Sequence, residues 1–218
     1  LIIFDCNGVL VDSEPIAMSV LASALNRLGI SLPPEVMARS FQGRRPSDMF
    51  AAIERYAKKR LPPDFASTVA AETLRRLQLE LRPVPHAAHA LTWIRGPKAV
   101  ASSSPMHRVK ASLEATGLIR FVEGRLFSAS DVLRGKPAAD LFLLAASRLR
   151  VSPAECVVVE DSVAGVLAAT AAGMKSIGFV GRHPAEGHLA DDLLAAGACG
   201  AIADMRDLKA AIAAVRGW

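Results

Sequence analysis

Cysteine, tyrosine and tryptophan are scarce, with three, one and two copies in 218 residues. Cys6, Cys156 and Cys199 are odd in number and far apart, and two of them sit in apolar, strand-like runs. That pattern excludes a disulfide framework and leads us to expect a reduced, cytoplasmic protein. With so few aromatic rings, and none interleaved with basic residues, a stacking surface for nucleic acid is excluded. No stretch approaches the ~18 uncharged apolar residues of a membrane span, and no signal peptide is visible. The chain opens on Leu1 and enters a strand at once, so a few leading residues, with room for a short targeting segment, are expected before it. The five histidines (His86, His89, His107, His183, His188) have no metal-ligand spacing joined to other donors and are read as surface or packing residues.

What is present is ordinary for a globular protein: 51% hydrophobic and 22% charged residues, enough chain for one α/β core and a small second domain. The net charge of +5 is spread among acids, and runs such as Lys58-Lys59-Arg60 and Arg75-Arg76 read as solvated helix faces. Mild basicity suits a small phosphorylated molecule as well as a polyanion.

The apolar run Leu1-Ile2-Ile3-Phe4 ends abruptly in Asp5-Cys6-Asn7-Gly8, so a buried strand delivers a carboxylate to its carboxyl end, where open α/β sheets place their chemistry. Cys6, between Asp5 and Asn7, turns away from both by strand alternation and is a packing residue rather than a nucleophile. From Pro15 to about Leu81 the pattern is helical: Ile16, Val20 and Leu28 share a face closed by Gly29, Ser47 precedes a helix through Phe50, Ile53 and Ala57, and another helix is expected over 65–81. From Arg82 strands and helices alternate. Strands are expected at 98–102, 124–127, 156–159 and 176–180, with helices at 87–94, 106–115, 138–149, 163–172, 189–196 and 205–215. Ser152-Pro153-Ala154-Glu155 reads as a capped turn, and Gly165 and Gly173 serve helix packing and termination. The alternation implies a doubly wound parallel sheet, a Rossmann-like α/β core of residues 1–14 and 82–218, with an all-helical domain of residues 15–81 inserted after the first strand.

Four segments carry polar residues at strand ends or in the loops between them: Asp5 and Asn7; Ser102-Ser103-Ser104; Arg134-Gly135-Lys136-Pro137; and Glu160-Asp161-Ser162. Acids ending two separate apolar strands are costly unless a cation or hydrogen bonds compensate them, and a divalent metal answers that cost.

In the order and spacing of these segments, followed by Ala-Gly at 164–165, the chain resembles the haloacid dehalogenase superfamily, in its phosphatase and β-phosphoglucomutase-like branch with a helical cap. The resemblance implies a Mg²⁺-dependent phosphatase for a small phosphorylated metabolite such as a sugar phosphate. By it, the first and fourth motif strands are neighbours that bring Asp5 close to Asp161, Asp5 is the nucleophile that forms an aspartyl-phosphate, Ser102 donates to the phosphoryl group, and Lys136 neutralises both that group and Asp5. Asp5, the backbone oxygen of Asn7, Asp161 and Glu160 form the metal set, with Glu160 either a ligand or an acid just behind the ligands. Backbone amides near Gly8 and Ser103 complete the phosphoryl cradle. Gln42, Gly43, Arg44 and Arg45 fall in the cap loop that reads the substrate, where two arginines suit a further anionic group.

The chain departs from the family at two places. Family phosphatases carry a second Asp where this chain has Asn7, and that Asp exchanges the proton of the departing oxygen; its loss is expected to lower turnover. Mutase-like relatives carry an arginine where this chain has Pro46, which favours phosphatase over mutase. A catalytically impaired binder of phosphometabolites is the third reading. A monomer or weak homo-oligomer is expected.

Overall fold

The computed structural model describes residues 1–33, 46–181 and 188–217, with the side chains of 46–48 left aside. The chain divides into two compact units, Leu1–Asp12 with Arg82–Trp218, and Ser13–Leu81.

In the first unit, six parallel strands form one sheet in the order β3-β2-β1-β4-β5-β6. They are β1 (Ile2–Phe4), β2 (Lys98–Ser102), β3 (Leu126–Ser128), β4 (Val157–Glu160), β5 (Lys175–Phe179) and β6 (Ala201–Ile202). β1 lies in the middle, with Phe4 level with Val100 of β2 and with Val159 of β4. Residues from both strand faces are buried: Ile3, Ala99, Ala101 and Val158 join the helices Asp140–Arg148 and Val163–Ala171 in one cluster, while Phe4, Val100 and Val159 are enclosed as well. Continuous apolar runs rather than alternation are what two covered faces require. Where the inserted segment leaves and rejoins, Asp12 N–H donates to Arg82 O and Val84 N–H to Leu10 O, so both ends are anchored to the same unit.

The order of β1 and β4 matters most for function. From β1 the chain steps outward to β2 and β3 and then crosses back over β1 to β4 and onward to β5 and β6, and this reversal opens a crevice at the carboxyl ends beside β1. The helix Met106–Ala115 follows β2 and the helix Val163–Ala171 follows β4, so both start at that edge.

The second unit has three helices among the described residues: Glu14–Arg27, Pro46–Ala57 and Phe65–Glu80. Val20, Leu21, Leu25, Ile53, Phe65 and Val69 form its core, and the Phe50 and Phe65 rings meet edge to face at 5.7 Å. This unit therefore has a hydrophobic centre of its own.

Several sequence expectations shift. The helix expected to begin after Ser47 already includes it. Ser152 precedes a short 3₁₀ turn at Pro153–Glu155 but makes no side-chain cap; its carbonyl instead receives Glu155 N–H. The segment expected as a helix from Met205 starts with a 3₁₀ turn, Met205–Asp207, and becomes α-helical over Leu208–Arg216. β6 and the short helix Ile119–Val122 are additional elements.

Candidate active site

The carboxyl edge of β1 and β4 gathers three ionisable side chains with almost no access to water. Lys136 is 4% exposed as a side chain, Asp5 9% and Glu160 1%. Lys136 Nζ donates to Asp5 Oδ1 at 2.6 Å, to Glu160 Oε1 at 2.5 Å and to the Ala101 carbonyl at 3.1 Å. One ammonium with three protons thus meets three acceptors from β1, β2 and β4, and its charge also lies 5.0 Å from the centre of the Phe142 ring. Sequence distance is large, 131 residues between Lys136 and Asp5, but strand order makes the contact short.

Burial is the largest influence on Asp5 and raises its pKa to about 6; Lys136 and the Asn7 backbone amide oppose that rise, and Glu160 adds to it. For Lys136, burial acts to lower the pKa, but the two carboxylates outweigh it and hold the ammonium well above its ordinary value. Both pKa values rise, which favours the charged form of Lys136 and the neutral form of Asp5, because Lys136 has two anionic partners while Asp5 is buried with one cation and a second acid beside it. The geometry supports a charged lysine, and an acid whose ionised form needs further positive charge to be comfortable. Burial likewise pushes the Cys6 thiol far up, consistent with its reading as packing.

Glu160 is held from both sides. Its Oε2 accepts the Ser162 N–H and the Ser162 hydroxyl, both at 2.9 Å, while its Oε1 faces Lys136. Ser162 also caps the following helix by accepting Gly165 N–H. A Cβ at Gly165 would stand 1.9 Å from the Glu160 carboxyl carbon, so only glycine leaves room for it. Glu160 therefore acts here as the second anchor of Lys136.

The loop after β1 supplies the other wall. The Asn7 side-chain amide donates to Ser104 Oγ at 2.9 Å and, more weakly, to Ser102 Oγ at 3.5 Å. Ser102 is fully buried and its Oγ also accepts Ser104 N–H, which leaves its own proton available to a ligand. Ser103, next in the chain, is exposed. Gly8 adopts φ +78°, and an ideal Cβ there would fall 1.7 Å from Asp161 Oδ2, so the Asp161 carboxylate rests directly on the Gly8 backbone. Asp5, Asn7, Gly8, Ser102, Lys136, Glu160 and Asp161 are thus all set at the carboxyl edge of three neighbouring strands. Gln42, Gly43, Arg44 and Arg45 lie outside the described residues.

The donor chemistry suits Mg²⁺, which takes oxygen ligands and is commonly held by one or two carboxylates together with waters and substrate phosphate. The Asp5 and Asp161 carboxylates and the Asn7 carbonyl are such donors, and the Gly8 cradle that admits Asp161 fits this use. Among the described residues no group of three or more His, Cys, Asp and Glu side chains is placed to hold a metal, in keeping with a Glu160 committed to Lys136 and Ser162.

The resemblance implied that Lys136 serves Asp5, but the contacts that hold Glu160 were not foreseen. Ser162 and Gly165, which shape the Glu160 contact, look in sequence like an ordinary helix start. The Ser-x-x-Gly spacing beside an acid was the available signal.

Residues 1–173 match the family model of haloacid dehalogenase-like hydrolases. The chain is 31% identical to the 6-phosphogluconate phosphatase of Escherichia coli over 82% of this chain and 81% of that one. It is 31% identical to the fructose-1-phosphate phosphatase of the same organism, over 81% of this chain and 94% of the relative. Among solved structures, a haloacid dehalogenase family hydrolase of Deinococcus radiodurans, with bound phosphate and sodium, superimposes with a TM-score of 0.81 at 32% identity, covering 99% of this chain and 95% of that one. The chain belongs to the haloacid dehalogenase-like hydrolase family, and it is a hydrolase similar to these two relatives named as phosphatases of phosphorylated sugars.

Proposed function

We propose that this hydrolase cleaves the phosphoric monoester of a small phosphorylated sugar or related metabolite, using Asp5 as nucleophile and Mg²⁺ as cofactor. The observation that carries the reading is the buried bridge from Lys136 to Asp5 and Glu160, a cation fixed against the carboxylate that must attack an anion. In this reading an Asp5 carboxylate oxygen attacks phosphorus in line, and the ester oxygen leaves with the bonding pair. Lys136, anchored by Glu160, offsets the charge gathered at Asp5 and the phosphoryl oxygens. The buried Ser102 hydroxyl donates to one phosphoryl oxygen, and backbone amides near Gly8 and Ser103 donate to others, the Gly8 N–H itself being engaged by the Val11 carbonyl at 2.8 Å. Mg²⁺, held by Asp5, Asp161 and the Asn7 carbonyl, would supply charge neutralisation for the transferring group. Water then attacks the aspartyl-phosphate and frees inorganic phosphate.

In the same reading Ser13–Leu81 is the family's cap domain, with Gln42, Gly43, Arg44 and Arg45 its substrate-reading loop. The protein works in the cytoplasm as a monomer or weak homo-oligomer. Asn7 favours a second reading, a phosphometabolite binder with little turnover, because an amide cannot exchange protons as a carboxyl does. A phosphate-release assay on a panel of sugar phosphates, with Mg²⁺ and with chelator, separates them. Release that needs Mg²⁺ and vanishes in Asp5→Asn supports the hydrolase; tight binding without release supports the binder; release that requires a bisphosphate activator indicates a mutase.

A further inference from the structure

Phosphoryl transfer to Asp5 leaves an electron pair on the ester oxygen, and a strongly basic oxygen needs a proton as it departs. The described side chains around Asp5 have little to give. Asn7 presents an amide, already donating to Ser104 and Ser102, and an amide donates a hydrogen bond without surrendering its proton. Lys136 spends its three protons on Asp5, Glu160 and the Ala101 carbonyl. Both oxygens of Glu160 are engaged as acceptors, one by Lys136 and the other by Ser162, and turned to those partners. Ser102 is a hydroxyl no more acidic than the oxygen that leaves.

We propose that this site selects substrates by their leaving group, acting on acyl phosphates and anomeric sugar 1-phosphates in preference to phosphates of ordinary alcohols. The inference rests on the hydrolase reading and deepens it. A departing carboxylate has a conjugate acid near pKa ~4 and a phenoxide near ~10. An alkoxide lies close to the ~15.7 of water. The hemiacetal oxygen of an anomeric phosphate is the least basic oxygen a sugar offers. In the first step the Asp5 oxygen–phosphorus bond forms while the phosphorus–ester oxygen bond breaks, and the oxygen takes its proton afterwards from solvent. In the second step water adds to phosphorus, its proton passes to solvent, and the Asp5 carboxylate is regenerated. That second step is common to all substrates, so leaving-group dependence resides in kcat/KM and not in a shared ceiling on kcat.

The test compares kcat/KM for acetyl phosphate, p-nitrophenyl phosphate, an aldose 1-phosphate and the 6-phosphate of the same sugar, in the native chain, Asn7→Asp and Asp5→Asn. In the native chain kcat/KM should fall steeply in that order. Asn7→Asp should raise the 6-phosphate by ~10²–10⁴-fold, the usual worth of a general acid, and acetyl phosphate far less. Taking the ratio of variant to native for each substrate cancels differences in how each one sits. Equal gains on all four substrates, or a native chain that handles the 6-phosphate as well as the 1-phosphate and acetyl phosphate, overturn the inference while leaving the hydrolase intact. If Asn7→Asp fails to fold, the native series alone decides by its slope. Activity that survives in Asp5→Asn overturns the parent reading instead.

Discussion

At the scale of single residues, the site is governed by one lysine. Lys136 lies between two carboxylates at the edge of the sheet, and all three groups have little contact with solvent. Removing one partner of a buried ionic cluster costs about 3–5 kcal/mol, because the remaining charges lose compensation in a medium that screens them poorly. Lys136→Met should therefore destabilise the metal-free protein by a few kcal/mol in urea unfolding, as well as abolish phosphate release. A Lys136→Met protein with native stability would show that Asp5 and Glu160 do not depend on that cation. The residues that meet here were partly legible in the sequence. Asp5 and Asp161 stand out because acids end apolar runs, and Lys136 because it sits in a Gly-Lys-Pro loop. The partner of Glu160 was not legible, since its contacts with Lys136, Ser162 and Gly165 depend on which strand lies beside which. Asn7 was visible as a departure, but the direction of its amide, towards Ser104 and Ser102, belongs to the fold.

At the scale of elements, β2 and the helix Met106–Ala115 have the bounds their patterns suggest, because an apolar run or a helical stripe announces itself over several residues. β6 was missed for the opposite reason: two half-buried residues carry no periodicity, and they join the sheet only because β5 offers a free edge. The 3₁₀ turn after it, Met205–Asp207, is held by Asp204, whose Oδ1 accepts Arg206 N–H at 2.8 Å while Oδ2 pairs with the Arg206 guanidinium. Those contacts draw the Asp204 pKa from 3.8 down to about 2. A depressed acid binds fewer protons folded than unfolded, so its contribution is present above pH ~4 and is lost as pH falls towards ~2. Asp204→Asn should unfold at lower urea than the native chain at pH 6, and the gap should narrow as the pH is taken down through 4 to 3. A gap that stays constant over that range would mean that the carboxylate's charge is irrelevant to the turn.

At the scale of the whole molecule, composition set the class and topology set the chemistry. Scarce cysteine and the lack of long apolar runs pointed away from secreted and membrane-spanning designs; none of the described helices is long and apolar enough to cross a membrane. The alternation after Arg82 implied a parallel sheet, and a compact helical unit stands where the helical patterns crowd together, at Ser13–Leu81. Composition could not reveal that β1 is flanked by β2 and β4, although that order gathers Asp5, Ser102, Lys136, Glu160 and Asp161 at one edge. The substrate's carbon skeleton is equally invisible to composition, since the residues that would read it, Gln42 to Arg45, carry charge and a glycine but no shape. The measurement that bears most directly on this arrangement is to incubate the protein with acetyl phosphate and Mg²⁺, quench it in acid, and locate the acid-stable phosphoryl group by peptide mass spectrometry. A single phosphoryl group on the peptide containing Asp5, absent with chelator and absent in Asp5→Asn, is the expected result. A phosphoryl group on another residue, or phosphate release that proceeds with Asp5 unmodified and replaced, would contradict it.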